Sequence, residues 1–556
     1  MGSPGFVNEP LTKGQDNRVG GLDAVDVTPS IVEKGSSQPD DLDEQTDEDQ
    51  YLHGRALVFM VLSLMVAVLI IALDGSIIST AIPVITTEFN SLNDVAWYGS
   101  IYLLAQMSFQ PTFAKSYTFF NQKWVYLGAG VLFEVGSVIC AAAPNSTAFI
   151  VGRAVAGLGA AGIFAGGMII LSRIVEMRKR PVLLGIVTSM YGVASVIGPT
   201  LGGIFTHSAR LTWRFCFWIN LPLGALMAVI VCFYYPTSLG GALHQDRPLK
   251  AKLLGLGLKS ALILTGTLVC LILALQWGGS VYPWSDSRVW GLFLGFGLLG
   301  ILFIFVQYRQ KDEALIPLRV LSQRSVGLGC IFSTLLQGGM LAQTYYLPFY
   351  FQAARGTDAQ TSGLSILPYG VTTSISTLIT GALITLTGFY VPFMWLGSCF
   401  FVTGSGLLYT LSRSSPFGQW FGYQLLTGAG FGMMVQIPIT AVQVILGAAD
   451  IPIGSTLVLL AQCLGGSVGL AVAQNVFQNS LREKLGGIQG INVPAVEAAG
   501  GANLQEIVPA SLLVPVRDVF RYAVSQAFLV SVGLGSVAFL ASLGIQQKRI
   551  NTKKAS

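Results

Sequence analysis

From about residue 56 to 545 the chain is a succession of apolar runs, each of about 20 residues, divided by short polar breaks. At 1.5 Å per residue a helix of that length crosses the roughly 30 Å hydrocarbon core of a bilayer. Only 11% of the 556 residues are charged, against roughly 25% in a soluble domain. The expected class is therefore an all-α polytopic membrane protein, with its core in the bundle interior and lipid as its solvent. Fourteen spans are expected, near 56–83, 95–114, 124–143, 148–171, 182–205, 215–235, 255–277, 289–308, 326–350, 361–386, 391–411, 419–446, 453–477 and 524–545.

Basic residues set the orientation. Arg55, Lys115, Lys123, Arg173, Arg178, Lys179, Arg180, Arg247, Lys250, Lys252, Arg309, Lys311, Arg319, Arg324, Lys548, Arg549, Lys553 and Lys554 fall at the N-terminal flank, in alternate loops and in the C-terminal tail. The intervening loops hold fewer, so the positive-inside rule places both termini in the cytoplasm. Residues 1–54 form an acidic tail with no apolar core, expected to be disordered, and residues 547–556 a second cytoplasmic tail. The stretch LLVPVRDVFRYAV, residues 512–524, is amphipathic and reads equally as a surface-lying segment or a solvated connection.

A weak internal repeat divides what lies between. Arg153 precedes Gly157-Leu158-Gly159 by four residues, and Gln424 precedes Gly428-Ala429-Gly430 by the same interval. Gly202-Gly203 and Gly465-Gly466 recur in the same way. This spacing predicts two six-helix halves, 55–236 and 325–546, joined by a linker, 237–324, that carries two extra central spans.

An ionisable side chain at a span centre costs roughly 2.5–3.5 kcal/mol on insertion scales, so each one is a candidate for function. Three occur: Asp74, among Gly75, Ser76, Ser79 and Thr80; Glu134, in VLFEVGSVIC; and Arg153, in FIVGRAVAGLGAAG. A desolvated carboxylate suits a group that takes and releases a proton. The competing readings are a helix-end cap for Asp74 and a static ion pair for Glu134 with Arg153. Polar uncharged residues, Gln106, Gln110, Gln337, Gln343, Tyr345 and Gln462, are candidates for a cavity that holds a bulky, largely apolar molecule, or else for bonds between helices.

Residues Gly185 to Phe205 are apolar enough to span, yet carry helix breakers. Ala194, Gly198 and Gly202 recur every four positions and line one face for close approach, while Pro199 removes a hydrogen bond and bends the helix. Other features carry little. The seven cysteines lie singly without metal-ligand spacing, no metal or cofactor site is expected, no Walker motif supports ATP hydrolysis, and no basic stripe suggests nucleic acid. His53, His207 and His244 build no catalytic constellation at membrane depth, so an enzyme is not expected. The sequon at Asn145 sits on an outer loop too short to be glycosylated.

Several of these stretches resemble one family. Gly198-Pro199-Thr200-Leu201-Gly202-Gly203, with Ala194 and Gly185 before it, resembles the antiporter motif of drug:proton exporters in the major facilitator superfamily. LDGSIISTAIPVITTEF around Asp74 and VGRAVAGLGAAG around Arg153 resemble the first- and fourth-span motifs of these antiporters. WRFCFWINLPLG, from Trp213 to Gly224, is similar to a motif of the fourteen-span branch, and YYLPFYFQAARG with SGLSILPYG to fungal exporters of toxins and other secondary metabolites. The resemblance implies the major facilitator fold and proton-driven efflux of a hydrophobic small molecule, drug or toxin. It implies coupling through Asp74 and Arg153, with the glycine-proline helix controlling direction and leak. A monomer in the plasma membrane is expected, with a vacuolar or other internal membrane as the alternative. A permease for basic amino acids or siderophores, or a transporter-like nutrient sensor, are the competing functions. One departure matters: AKSYTFFNQK places Ala114 and Thr118 where the family's second-to-third-span loop carries Gly and Asp, and keeps only Lys123 of its basic end.

Overall fold

The computed structural model describes residues 51–89, 94–208, 211–237, 248–279, 282–357, 359–447, 449–493, 495–496, 504 and 508–550. Most of the acidic tail, Arg247 and the final six residues lie outside them. Among the described residues the chain is helical, with one isolated bridge between Gly278 and Tyr282. The first part comprises α1 (Gly54–Phe89), α2 (Val95–Phe119), α3 (Gln122–Ala141), α4 (Ser146–Ile174), α5 (Arg180–Thr188), α6 (Met190–His207), α7 (Phe215–Trp218) and α8 (Asn220–Tyr234). A middle part follows: α9 (Leu249–Gly255), α10 (Leu258–Trp277), α11 (Ser287–Gln310) and α12 (Leu318–Leu321). The last part is α13 (Arg324–Phe349), a π-turn (Tyr350–Ala354), α14 (Ala359–Thr387), α15 (Val391–Tyr409), α16 (Phe417–Met434), α17 (Ile437–Ile445), α18 (Ile451–Leu485) and α19 (Leu513–Ser542).

Twelve helical stretches among the described residues are long and apolar enough to cross a membrane, and thirteen if the bent pair Arg180–Ser195 and Thr200–Thr206 is one span. The pair turns by 41° across the residues around Pro199, where a proline costs the helix one hydrogen bond. α2 would bring the number to the expected fourteen. Its 25 residues give it the length, but Ser100, Gln106, Ser108, Gln110 and Lys115 dilute its hydropathy. Many side chains on the bundle exterior are large and apolar, Phe233, Ile301 and Leu298 among them, as a surface facing lipid requires.

The packing repeats. α4 lies against α2 and α3, as α16 lies against α14 and α15; α1 packs on α6 and α8, as α13 packs on α18 and α19. Glycines set the close approaches. A Cβ on Gly157 would strike the Tyr102 carbonyl and one on Gly159 the Phe133 backbone; Gly428 and Gly430 stand in the same relation to Tyr369 and Phe401. The parts meet along α5 and α6 against α14, and along α2 against α18. α10 and α11 pair with each other, and α10 also touches α2 and α18.

The apolar interior is organised differently at the two ends. Near the start of α1, one cluster joins Met60 and Leu64 with Ile170, Leu184, Val326, Val442 and Val458, drawing on both parts. At the other end the clusters are separate, one around Ile77, Phe149 and Phe217 and another around Tyr346, Phe351 and Phe477. The stretch 512–524 is neither a surface-lying segment nor a solvated connection. Its residues from Leu513 onward are the first turns of α19, and Val516, Phe520 and Ala523 are buried in one cluster with Phe477, Leu481 and Leu485 of the extended α18. The amphipathic pattern finds a protein partner instead of a lipid one.

At the far end of α1, Glu88 accepts hydrogen bonds from Trp213 Nε1 at 2.6 Å and Arg214 Nη1 at 2.8 Å. Arg214 Nη2 also donates to the Ala143 carbonyl at 3.1 Å, and its guanidinium lies 4.4 Å from the Trp213 ring centre. Burial raises the Glu88 carboxyl, but the bonds from Trp213 and Arg214 and the arginine charge outweigh it, so the group is held below the usual carboxylate range. A carboxyl shifted this way stabilises the fold above the unfolded carboxylate range and loses that contribution as pH falls through its own lowered range. The melting temperature of the purified protein should therefore drop more between about pH 6 and about pH 3 than that of Glu88→Gln; equal drops would contradict the assignment. Gly159→Val and Gly430→Val should each destabilise by about 1–3 kcal/mol or more, read as loss of the monodisperse peak in size exclusion. Gly203→Ala, with open space at its Cβ, should leave that peak intact.

Candidate functional site

Asp74 lies in the interior of α1, 0% exposed, and does not cap a helix end. Its partner is Arg153 of α4, 1% exposed, whose Nη1 stands 2.5 Å from Asp74 Oδ2. The glycines of α4 let its neighbours close in so that the arginine reaches across the interior. Arg153 Nε donates to the Tyr98 carbonyl at 3.0 Å, and its Cζ lies 4.4 Å from the Tyr102 ring centre and 5.9 Å from that of Phe217. Asn220, the first residue of α8, donates from Nδ2 to Asp74 Oδ1 at 3.5 Å and to Ser137 Oγ at 3.1 Å. Taking two charges out of water costs several kcal/mol per ion, which is offset only when the pair is short and the remaining groups are bonded. Five elements, α1 to α4 and α8, supply those bonds.

Glu134 takes no part in this pair. It is half-buried on α3 between the exposed Val131 and Val135, with its carboxyl over Gly224 of α8 and its Oε2 buried without a hydrogen-bond partner. The ion pair weighed between Glu134 and Arg153 is thus formed by Asp74 instead.

The bent helix touches the site. Ser76, two residues beyond Asp74, donates to the Ala194 carbonyl at 3.0 Å, and a Cβ on Gly198 would strike Ser76 Oγ. Gly185 faces α14, where a Cβ would stand 3.0 Å from the Thr377 carbonyl. Gly202 is buried and its carbonyl accepts from Thr206 Oγ1 at 2.7 Å, while Gly203 borders open space. The Pro199 side chain lies outside the described residues.

The polar candidates divide. Gln106 and Gln110 of α2 are buried, and both amide atoms of Gln110 lack a hydrogen-bond partner. Gln343 is buried and donates to Ser405 Oγ at 2.5 Å; Gln462 is half-buried and donates to the Val435 carbonyl at 3.2 Å. Gln337 is half-buried and Tyr345 is 50% exposed. Asn145 caps α4, its side chain accepting from Ala148 N at 2.9 Å. Where the loop before α3 departs from the family pattern, Lys123 caps the end of α8 through the carbonyls of Cys232 at 2.7 Å and Tyr235 at 2.9 Å. Lys115 donates to the carbonyls of Gly255 and Glu313 in the middle part, and Arg319 pairs with Asp450 through two bonds of 3.0 Å.

Asn220 is the site residue that reasoning from charge passes over, because an uncharged amide raises no alarm. The signal was available: a single amide in the apolar run FCFWINLPLG.

The comparisons with known proteins agree on kinship. Residues 64–470 match the Major Facilitator Superfamily. The chain is 44% identical over 517 residues to the MFS-type transporter ltbE of Aspergillus luteorubrus, covering 92% of this chain and 94% of that one. It is 38% identical over 535 residues to the MFS-type efflux pump MFS1 of Trichophyton rubrum, covering 94% and 99%. The solved structure of the proton:xylose symporter XylE, bound to 6-bromo-6-deoxy-D-glucose, superposes with a TM-score of 0.59 at 12% identity, over 88% of this chain and 96% of that one, a likeness of fold alone. The chain belongs to the major facilitator superfamily of membrane transporters and is not an enzyme.

Proposed function

We propose that the chain exports a hydrophobic small molecule, such as a secondary metabolite or drug, in exchange for protons. The observation that carries this reading is the buried Asp74–Arg153 pair beside the bent helix. The second half supports it by contrast. Gln424 stands where Arg153 does, four residues before the paired glycines, and donates to the Ser365 carbonyl four residues before Tyr369, just as Arg153 donates to Tyr98 four residues before Tyr102. The packing thus accommodates a neutral amide at this place, so the first half keeps its charges for chemistry. The names of relatives, efflux pumps among them, point to the same direction of transport.

On this reading 55–236 and 325–546 are the two rocking halves, 237–324 is a linker with two added spans, and both termini are cytoplasmic in a monomeric plasma-membrane protein. The joint apolar cluster near the start of α1 then closes the cytoplasmic side, and the conformation faces outward. Asp74 takes a proton from outside, Arg153 holds the carboxylate in its absence, and Glu134 is a second carboxyl available to protons. The glycine-proline helix transmits the change to α14 through Gly185. Gln106, Gln110, Gln337, Gln343, Tyr345 and Gln462 supply polar contacts to the substrate. One proton entering down about 100 mV gains about 2.3 kcal/mol, enough for a gradient of order tens-fold for a neutral molecule.

The test is dye accumulation in cells expressing the chain or Asp74→Asn, with and without a protonophore. Lower accumulation in the parent, reversed by the mutation and by the protonophore alike, is expected. Efflux by Asp74→Asn equal to the parent's and collapsed by the protonophore to the same degree would remove Asp74 from the coupling.

A further inference from the structure

We propose that the Asn220 carboxamide is the alternative partner of Asp74: it receives the carboxyl when a proton arrives, and so frees Arg153. This rests on the proton-coupling reading above and adds to it a positioning residue with a defined chemical task.

Asn220 is 0% exposed, held at the start of α8 by the turn that follows α7. Both hydrogens of its Nδ2 are engaged, one by Ser137 Oγ at 3.1 Å and one by Asp74 Oδ1 at 3.5 Å. Its Oδ1 is buried and has no hydrogen-bond partner. Buried acceptors are normally satisfied, and an ionised carboxylate has no donor to give this one. A carboxylic acid does. Acid and carboxamide are complementary along both edges, the acid carbonyl accepting from N–H while the acid O–H donates to the amide oxygen. Against a carboxylate only one of those bonds forms, which is the arrangement observed.

The step is a transfer of one proton and an exchange of partners. A proton from the aqueous side forms an O–H bond on Asp74 Oδ2. The Arg153 Nη1 contact to that oxygen breaks, since the cation no longer faces a charge. Asp74 Oδ2–H then donates to Asn220 Oδ1, while Asp74 Oδ1 still accepts from Nδ2. Arg153 keeps its charge and is not stranded, because the Tyr98 carbonyl at 3.0 Å and the Tyr102 ring at 4.4 Å already hold it. Loss of the proton reverses each step.

Other groups near enough to Asp74 to feel its charge are Arg153 of α4, Glu134 and Cys140 of α3, Tyr102 of α2 and Cys216 of α7, with Tyr191 of α6 one step further off beside Tyr102. α6 itself meets α1 here through Ala194 and Gly198. Glu134 rests on Gly224. The carboxamide is the group whose idle acceptor lies on a residue already bonded to Asp74.

Infrared difference spectra of the purified protein in lipid nanodiscs, recorded across a pH titration, test this without a substrate. The carboxylic-acid band missing from Asp74→Asn reports on Asp74. In Asn220→Leu, which keeps the bulk and removes both amide edges, that band should need about tenfold more protons to reach half its height, the worth of about one hydrogen bond to the neutral form. Ser137→Ala, which only loosens the amide, should move it the same way by about threefold. An unmoved midpoint in folded Asn220→Leu would overturn the proposal, and if that variant does not fold, an unmoved midpoint in Ser137→Ala would do so. Should the parent and Asp74→Asn give the same spectra, Asp74 does not titrate and the proton-coupling reading itself fails, taking this one with it. A band that is present but fixed defeats the role of Asn220 alone.

Discussion

An arginine inside a membrane protein must be answered on all sides, and the way Arg153 is answered orders the first half of the bundle. Its guanidinium takes a carboxylate from α1, a backbone carbonyl and an aromatic face from α2, and a second aromatic face from α7. The α2 groups arrive because glycines on α4 remove the side chains that would keep α2 and α3 at a distance. The site is therefore a consequence of close packing, and the packing is tolerable only because the charges are paired. Removing one partner of a buried pair typically costs about 3–5 kcal/mol, whereas replacing both with neutral groups is often harmless.

The second half shows that neutral alternative in the same molecule. Gly428 and Gly430 repeat the approach of Gly157 and Gly159, Tyr369 and Phe401 stand for Tyr102 and Phe133, and Ser405 stands four residues beyond Phe401 as Ser137 does beyond Phe133. Within this frame Gln424 and Gln343 make neutral hydrogen bonds. One packing plan thus exists in a charged and an uncharged version. What distinguishes the halves is chemistry laid over a shared scaffold, which suits a carrier in which one half handles protons and both enclose the substrate.

Much of this was legible in the sequence, for physical reasons. Apolar length announces a span, intramembrane charge announces a site, and glycine spacing announces close helix contact. The partner of Arg153 was not fixed by those rules, because Asp74 and Glu134 are both mid-membrane carboxyls and only packing shows that Gly224 draws Glu134 aside. Asn220 escaped because a neutral amide carries no insertion penalty large enough to flag it. The start of α19 was misjudged for a similar reason: an amphipathic stripe says that one face is covered, without saying whether lipid or protein covers it. Lys115, Lys123 and Arg319 each found carbonyls or carboxylates on segments distant in sequence, which no local pattern encodes.

The central claim is that the first half retains its charges for coupling and not for the fold. The most direct measurement is pH-gradient-driven dye transport into vesicles holding the purified Asp74→Asn/Arg153→Gln double variant, which gives the first half the neutral chemistry of the second. The account predicts a folded protein that lets the dye equilibrate but no longer accumulates it against its gradient. Accumulation equal to that of the parent would contradict it.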